Sequence, residues 1–344
     1  MKKKHNVTLK EIADQLSLSI STVSRALKDH KDISAETKNK VKAKAKELRY
    51  FPNLFAQGFR SNRTRIVGVI VPKISHYYTS TIIEGIISKA EEKGYRVIVT
   101  ESKNSFERQT EMLHTMLQFG VDGILLSLAR TTKDIEEILN VADKVPVLLF
   151  DKVSRKIPCT QVIINDKGAA YNAVEHLIRL GKKRIAIFKE SEGSYNSKMR
   201  YEGYLEALKN NGLEVDENLV LSTQDISLEH GRRLCNIVLS YKVRPDAIFC
   251  ITDSCAVGVI KALKNANVRI PDEIAVVGFS NSNISTIIEP KLTTINQPGS
   301  KIGKTAIKYL IKEMENENEE PFSFKTIEVE TELIVRDSTF RLKN

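Results

Sequence analysis

The sequence predicts an α/β protein in two parts: a small all-α helix-turn-helix head, then two doubly wound α/β lobes. Three observations predict it. Two short amphipathic helices, separated by the break Ser17-Leu18-Ser19, open the chain at residues 8–27. Residues 1–65 hold 16 Lys/Arg against 6 Asp/Glu, which accounts for the whole net charge of +10. From Arg65 onward, apolar β-branched runs alternate with helix-length segments, in two successive series.

The head comes first. Leu9, Ile12, Ala13 and Leu16 fall at i, i+3, i+4 and i+7, the stripe of a short amphipathic helix with Thr8 as its cap. A second helix starts after Ser19 and buries Val23, Ala26 and Leu27. Two helices this short on so tight a turn read as a helix-turn-helix, whose second helix enters the major groove. Its outer side then carries Ile20, Ser21 and Arg25, with the hydroxyls of Thr22 and Ser24 within reach of phosphates. A pair of helices that merely pack fits the same pattern, so charge decides. Basic surface alone gives weak, salt-sensitive polyanion binding; concentrated on this motif, it points to DNA. Ser34 caps a third helix, with Glu36 in its first turn and Val41, Ala45 and Leu48 as its stripe. Its lysine run (Lys38, Lys40, Lys42, Lys44, Lys46) is either a solvated face or part of the DNA-facing field. Pro52 ends that helix, since it disfavours helical geometry at the residue before it. Residues 53–64 make an odd linker, because Leu54, Phe55 and Phe59 are more than a flexible tether needs.

The body follows as strand–helix alternation. Ile66–Val71 has the length and β-branched content of a buried parallel strand. After it come a helix over 79–93, Y-R-V-I-V-T, a helix over 106–119, G-I-L-L-S-L, a helix around 133–142, P-V-L-L-F-D, the strand 162–164 and a helix over 168–180. The second series is R-I-A-I-F, helix 197–211, L-V-L-S-T, helix 227–240, A-I-F-C, helix 254–266 and I-A-V-V-G-F. Ligands of such sheets bind beyond the carboxyl ends of the strands. Those are the loops after Val71, Thr100, Ser127, Phe150, Phe188, Cys250 and Phe279. They offer His76-Tyr77-Tyr78, Asp151, Arg200 and Asp253. Carboxylates, a guanidinium and aromatic faces together suit a polyhydroxylated ligand. Each has a plainer reading, since Asp at a strand end often caps a helix and Arg on a helix is usually solvated.

Composition excludes other classes. No apolar run approaches the ~18–20 residues of a membrane span, and Met-Lys-Lys-Lys-His-Asn is followed by no apolar signal-peptide core. Cys159, Cys235, Cys250 and Cys255 lack metal-site spacing and read as buried thiols. The expectation is a cytoplasmic chain without cofactor or metal. No G-x-G-x-x-G after a strand, G-x-x-x-x-G-K-[ST], G-x-S-x-G or H-E-x-x-H occurs, so a sugar-acting enzyme on this fold lacks its usual parts. An effector-blind DNA-binding regulator also stays open.

T-L-K-E-I-A with S-T-V-S-R-A-L, then Y-F-P-N-L-F-A, the strand-end F-D, R-Y-E-G-Y-L, T-D-S-C-A-V-G, V-V-G-F-S-N and P-K-L-T-T-I resemble the lac repressor (LacI/GalR) family, essentially end to end. The resemblance implies a transcription repressor that is a homodimer on a pseudo-palindromic DNA operator, with lobes of periplasmic-binding-protein type and a small-molecule effector, a sugar or sugar derivative, between them. It implies a head over 1–51, a hinge segment over 52–64 and a body over 65–344. The body divides into an N-terminal lobe of about 65–160 and a C-terminal lobe of about 161–290, with the chain crossing back near 291–325. Ile20, Ser21 and Arg25 match base-reading positions; Thr22, Ser34, Thr37, Tyr50 and Asn53 match phosphate contacts. Asp151, Arg200 and Asp253 match effector contacts, beside which Tyr77, Tyr78 and Ser280 are expected. Three departures stand out. Phe59 replaces the usual Leu as the minor-groove wedge, with Gly58 weakening that helix by about 1 kcal/mol. Ser17 replaces the Gly of the turn. Thr252 and Ser280-Asn281 replace Asn and an Asp-containing pair. With no leucine heptad after E-L-I-V-R, the expected assembly is a dimer.

Overall fold

The structure, a computed structural model, describes residues 7–51, 63–191, 194–316 and 323–340. Asn53 and Phe59, the expected phosphate contact and wedge, lie outside the described residues. The chain divides at Thr64 and Arg65 into two compact units.

Among the described residues, the head unit holds three helices: α1 (Leu9–Leu16), α2 (Ile20–Leu27) and α3 (Ala35–Glu47). Each starts on a hydroxyl cap. Thr8 accepts from the Glu11 amide while the Glu11 carboxylate accepts from the Thr8 amide, a complete capping box. Ser19 caps α2 through the Thr22 amide, and Ser34 caps α3 through the Thr37 amide. Ser17 takes the left-handed conformation (φ 52°) that ends α1, the conformation for which Gly is favoured. Ile12, Ala13, Val23, Ala26, Val41 and Ala45 form the core, with Leu9, Leu16, Leu27, Leu48 and Tyr50 against it.

Among the described residues, the body unit holds two six-stranded sheets. The strands and helices of the first series are β1 (Ile66–Val71), α4 (Tyr77–Glu92), β2 (Arg96–Glu101), α5 (Phe106–Gln118), β3 (Gly123–Leu126), α6 (Glu136–Ala142), β4 (Val147–Phe150) and β5 (Gln161–Ile164). Those of the second are α7 (Asp166–Arg179), β6 (Ile185–Glu190), α8 (Tyr195–Asn210), β7 (Val220–Thr223), α9 (Leu228–Leu239), β8 (Ala247–Cys250), α10 (Asp253–Asn265), β9 (Ala275–Ser280), α11 (Ile284–Ile287) and β10 (Thr293–Asn296). Then come α12 (Gly299–Met314), β11 (Thr326–Val329) and β12 (Glu332–Ile334). One sheet runs β11-β5-β4-β3-β1-β2, all parallel. The other runs β12-β10-β9-β8-β6-β7, parallel except for the antiparallel edge pair β10–β12. Central strands such as β1, β4 and β8 are buried along their whole length, as a sheet covered by helices on both faces requires.

The lobe boundary near residue 160 needs correction. β5 pairs with β4 and belongs to the first sheet, so the chain leaves the first lobe only after Ile164. It returns through α12, which packs on α4 and on β3, β4 and β5. β11 then extends the first sheet, and β12 crosses to the second. The apolar runs show where strands are, but not which neighbour each takes.

On α12, Glu313 has its Oε2 buried with no partner, and burial pushes its carboxyl up to about 7. A carboxyl raised from an ordinary 4.5 favours the fold when protonated, and that contribution is lost as pH rises through 7. Glu313→Gln, a mimic of the protonated form, is therefore expected to stabilise the protein at pH 8 by about 1–2 kcal/mol, after allowing for solvent screening. At pH 4 it should change little. Urea midpoints at the two pH values check this, and an equal shift at both would refute it.

Candidate functional site

In the head, α2 presents the expected side chains outward. Ile20 is 40% exposed, whereas the other large apolar side chains of α1 and α2 are buried or half-buried. Ser21 and Arg25 are exposed; Thr22 and Ser24 are half-buried. Ser21 Oγ and Thr22 Oγ1 lie 3.0 and 2.8 Å from Ser19 Oγ, and Ser34 Oγ lies 2.9 Å from Thr37 Oγ1. Three of the hydroxyls expected on phosphates, those of Thr22, Ser34 and Thr37, therefore sit at the N-termini of α2 and α3, where amide N–H groups favour anions. Tyr50 packs on the core with its ring half-buried. Arg25 Nη2 is 2.8 Å from Asp32 Oδ2, a partner that no spacing in the sequence announces. Three lysines of the α3 run are paired in turn: Lys40 with Glu36, Lys42 with Asp29 and Lys44 with Glu47.

In the body, a cavity of about 410 Å³ lies between the two lobes, at the carboxyl ends of the strands. Tyr77, Tyr78, Asp151, Arg200, Asp253 and Ser280 all line it. Six of the seven expected loops contribute. The loop after Ser127 does not line it, and the loop after β7 (Asp225, Ile226) and Gln297 after β10 do, unforeseen.

Arg200 is the best-defined member. Its Nε donates to Asp166 Oδ1 (2.8 Å), its Nη1 donates to the Ile251 carbonyl (2.6 Å), and its Cζ sits 3.6 Å from the centroid of the buried Phe279 ring. With two donor positions committed, Nη2 has no hydrogen-bond partner among the described residues. Asp166 accepts from Arg200 on Oδ1, while its Oδ2 is buried and unpartnered. Burial pushes that carboxyl up to about 6, against the pull of Arg200. Nothing in the sequence singles out Asp166, because its partner lies far away in sequence, beyond any spacing rule.

Asp151 has left-handed geometry (φ 60°) and accepts from Asn196 Nδ2 at 2.9 Å. Burial raises its carboxyl above the ordinary value. Asn196 Oδ1 and the Tyr78 hydroxyl are buried without partners. Burial, with Asp151 and Asp166 nearby, holds the Tyr78 phenol well above its ordinary value. Ser280 (φ 121°) donates to Gln297 Oε1 at 2.8 Å. Asp253 differs from the rest. Its Oδ2 accepts from the Ser282 amide and hydroxyl, and its Oδ1 from Thr294, so it braces the ends of β8, β9 and β10. Thr252 caps α10 through the Cys255 amide.

Arg130 reaches across the cleft mouth from the first lobe. It bonds Glu190 Oε1 (3.0 Å) and the Gln224 carbonyl and lies 3.7 Å from Asp225, all in the second lobe. Among the described residues, no His, Cys, Asp and Glu cluster is arranged to hold a metal, and no helix is long and apolar enough to cross a membrane. The four cysteines are buried, free thiols. This array has the chemistry to hydrogen-bond a polar ligand, and Arg130 ties the two lobes together.

Known proteins share both halves. The family described as "Periplasmic binding proteins and sugar binding domain of LacI family" matches residues 64–330, and "Bacterial regulatory proteins, lacI family" matches residues 8–53. Catabolite control protein A of Priestia megaterium is 32% identical over 313 residues, 91% of this chain and 94% of that protein. The crystal structure of the lac repressor dimer bound to operator and the anti-inducer ONPF superposes with a TM-score of 0.87 at 26% identity, covering 98% of this chain and 100% of that one. The complex of the transcriptional regulator CelR with cellobiose superposes at 0.73 and 26% identity, covering 97% and 100%. A helix-turn-helix head joined to a two-lobed binding body defines a DNA-binding transcription regulator, not an enzyme. The chain belongs to the LacI family and is a transcriptional repressor.

Proposed function

We propose that this repressor works as a homodimer on a pseudo-palindromic operator, and that a small polyhydroxylated molecule, a sugar or sugar derivative, binds between its lobes and sets its operator affinity. The observation that carries the reading is the convergence of six residues, from five separate strand ends, on one cavity whose buried polar atoms lack partners. Such atoms cost free energy until a ligand completes them. The cellobiose bound to CelR supports a sugar, and the lac repressor dimer supports the assembly. Ile20, Ser21 and Arg25 are the base readers; Thr22, Ser24, Ser34, Thr37, Tyr50 and Asn53 hold phosphates; Phe59 is the minor-groove wedge. Tyr77, Tyr78, Asp151, Arg200 and Ser280 face the effector, while Asp253 serves it mainly by fixing the loops around it. An effector moves operator affinity only by binding the two lobe arrangements unequally, with a coupling of about 1–3 kcal/mol.

Site selection from a random DNA pool tests the operator reading. The enriched sites are expected to be inverted repeats, and Arg25→Ala should cost about 1–3 kcal/mol of discrimination at one base pair per half-site. Enriched sites without two-fold symmetry would count against the dimer. Unchanged selectivity in Arg25→Ala would remove Arg25 as a base reader.

A further inference from the structure

The first-lobe wall of the cleft carries, beside Asp151, two lysines and a histidine. Lys73 and His76 stand in the loop after β1 and Lys152 after β4, all lining the cavity. Among the described residues, none of the three side chains makes a hydrogen bond or an ion pair. They crowd one another: burial, then Lys73 and Lys152, hold the His76 imidazole below its ordinary value, against the opposite pull of Asp225 and Glu190.

The same corner is the start of α4, a helix of 16 residues. His76 occupies its N-cap without a side-chain cap bond, and no acid lies in the first turn. The amides of Tyr77, Tyr78 and Thr79 therefore have no intrahelical acceptor and point from the positive end of the helix dipole. The acids of the cleft are largely engaged elsewhere. Glu190 bonds Arg130, Asp166 bonds Arg200, Asp253 is filled by Ser282 and Thr294, and Asp151 accepts from Asn196. Asp225 lies 3.7 Å from Arg130.

A second, independent feature points to a ligand. Gln297 lines the cavity and is 5% exposed. Its Oε1 is taken by Ser280, and its Nε2 is a buried donor without a partner. Gln297 lies close enough to Tyr78, in the first turn of α4, to pull against the rise of that phenol's pKa. Free amides, a buried amide donor, two lysine ammonium groups and an imidazole ask for a ligand rich in acceptors and negative charge.

We infer that the effector is an anionic sugar, bearing a phosphomonoester or a carboxylate, with its charged group at the N-terminus of α4 among Lys73, His76 and Lys152. Its hydroxyls face Asp151, Asn196 and Arg200. This rests on the cleft being the effector site, and the cavity of about 410 Å³ is at the small end of ligand pockets, suited to a monosaccharide derivative.

The test is isothermal titration of the full-length protein with matched sets: glucose, glucose 6-phosphate and glucuronate, then the same for galactose and its phosphate and acid. Within a binding set, the charged member is expected to bind at least tenfold more tightly than the neutral sugar. The phosphate and acid arms show which charged group is taken. Lys73→Met with Lys152→Met should weaken that member tenfold or more, and the matching Arg replacements should largely restore it. These side chains are exposed or half-exposed, so the variants should fold. A neutral sugar that binds as tightly as its charged counterpart, in wild type and lysine variants alike, overturns the anionic effector and leaves the cleft standing. No binding by any member, with operator binding intact, overturns both.

Discussion

Replacing Arg200 by Ala is expected to abolish the effector response and to destabilise the two-lobed body by about 3–5 kcal/mol, because it strands a buried partner. Arg200 is 6% exposed and holds Asp166, the Ile251 carbonyl and the face of Phe279 together. Without it, Asp166 loses the only hydrogen-bond donor it has among the described residues. Burial already raises that carboxyl to about 6. The folded state then favours the acid form more strongly, so the penalty is smallest at low pH and grows as pH rises past 6. The sequence suggested a ligand contact alone; the geometry makes the same side chain a structural clamp. The double variant Arg200→Met with Asp166→Asn separates the roles. Removing both charges should recover most of the lost stability while leaving the response absent. Chemical denaturation and ligand titration of both variants decide it. A double variant that still responds would show that Arg200 does not touch the effector.

What the sequence made legible was local chemistry. Thr8, Ser19 and Ser34 announce their helices because capping is settled within three residues. Ile66–Val71 announces a central strand because a strand buried on both faces must be apolar throughout. Strand-end logic put Asp151, Arg200 and Asp253 on one side of the sheets, and all three line one cavity. Relations between distant segments were not legible. Asp32 beside Arg25, Asp166 beneath Arg200 and the span of Arg130 to Glu190 depend on how elements meet, and no periodicity encodes that. β5 was given to the wrong lobe because its strand neighbours are set by the assembled sheet; one of them, β11, comes from near the far end of the chain. α12 was passed over as a crossing segment, although Ile302, Ala306, Ile307, Leu310 and Ile311 make a good buried stripe. Pro298, Gly299 and Gly303 look like punctuation there, because glycine in a helix usually weakens it.

Gly303 is where that rule reverses. On an unencumbered helix, Gly303→Ala would stabilise by about 1 kcal/mol. In α12 it is expected to destabilise the body by about 3 kcal/mol. A Cβ on Gly303 would lie 2.1 Å from the Ile82 carbonyl oxygen and 2.8 Å from the Ile86 amide, both backbone atoms of α4. The contact is reciprocal, since a Cβ on Gly85 would lie 2.3 Å from the Ser300 carbonyl oxygen. No side-chain rotation relieves either clash. The helices must separate, and overpacking of this kind costs about 1–3 kcal/mol, sometimes more. Lys304→Ala, on the exposed face one residue away, should fall within about 0.5 kcal/mol of wild type. The consequence reaches the site, because α4 begins at the cleft with Tyr77 and Tyr78. Moving α4 displaces those residues from Asp151 and Arg200, so effector affinity should fall with stability. Urea unfolding of the full chain, followed by ligand titration under folded conditions, gives both numbers. A stabilised Gly303→Ala variant would mean that α4 and α12 do not meet backbone to backbone. The cleft wall would then owe its position to something other than this crossing.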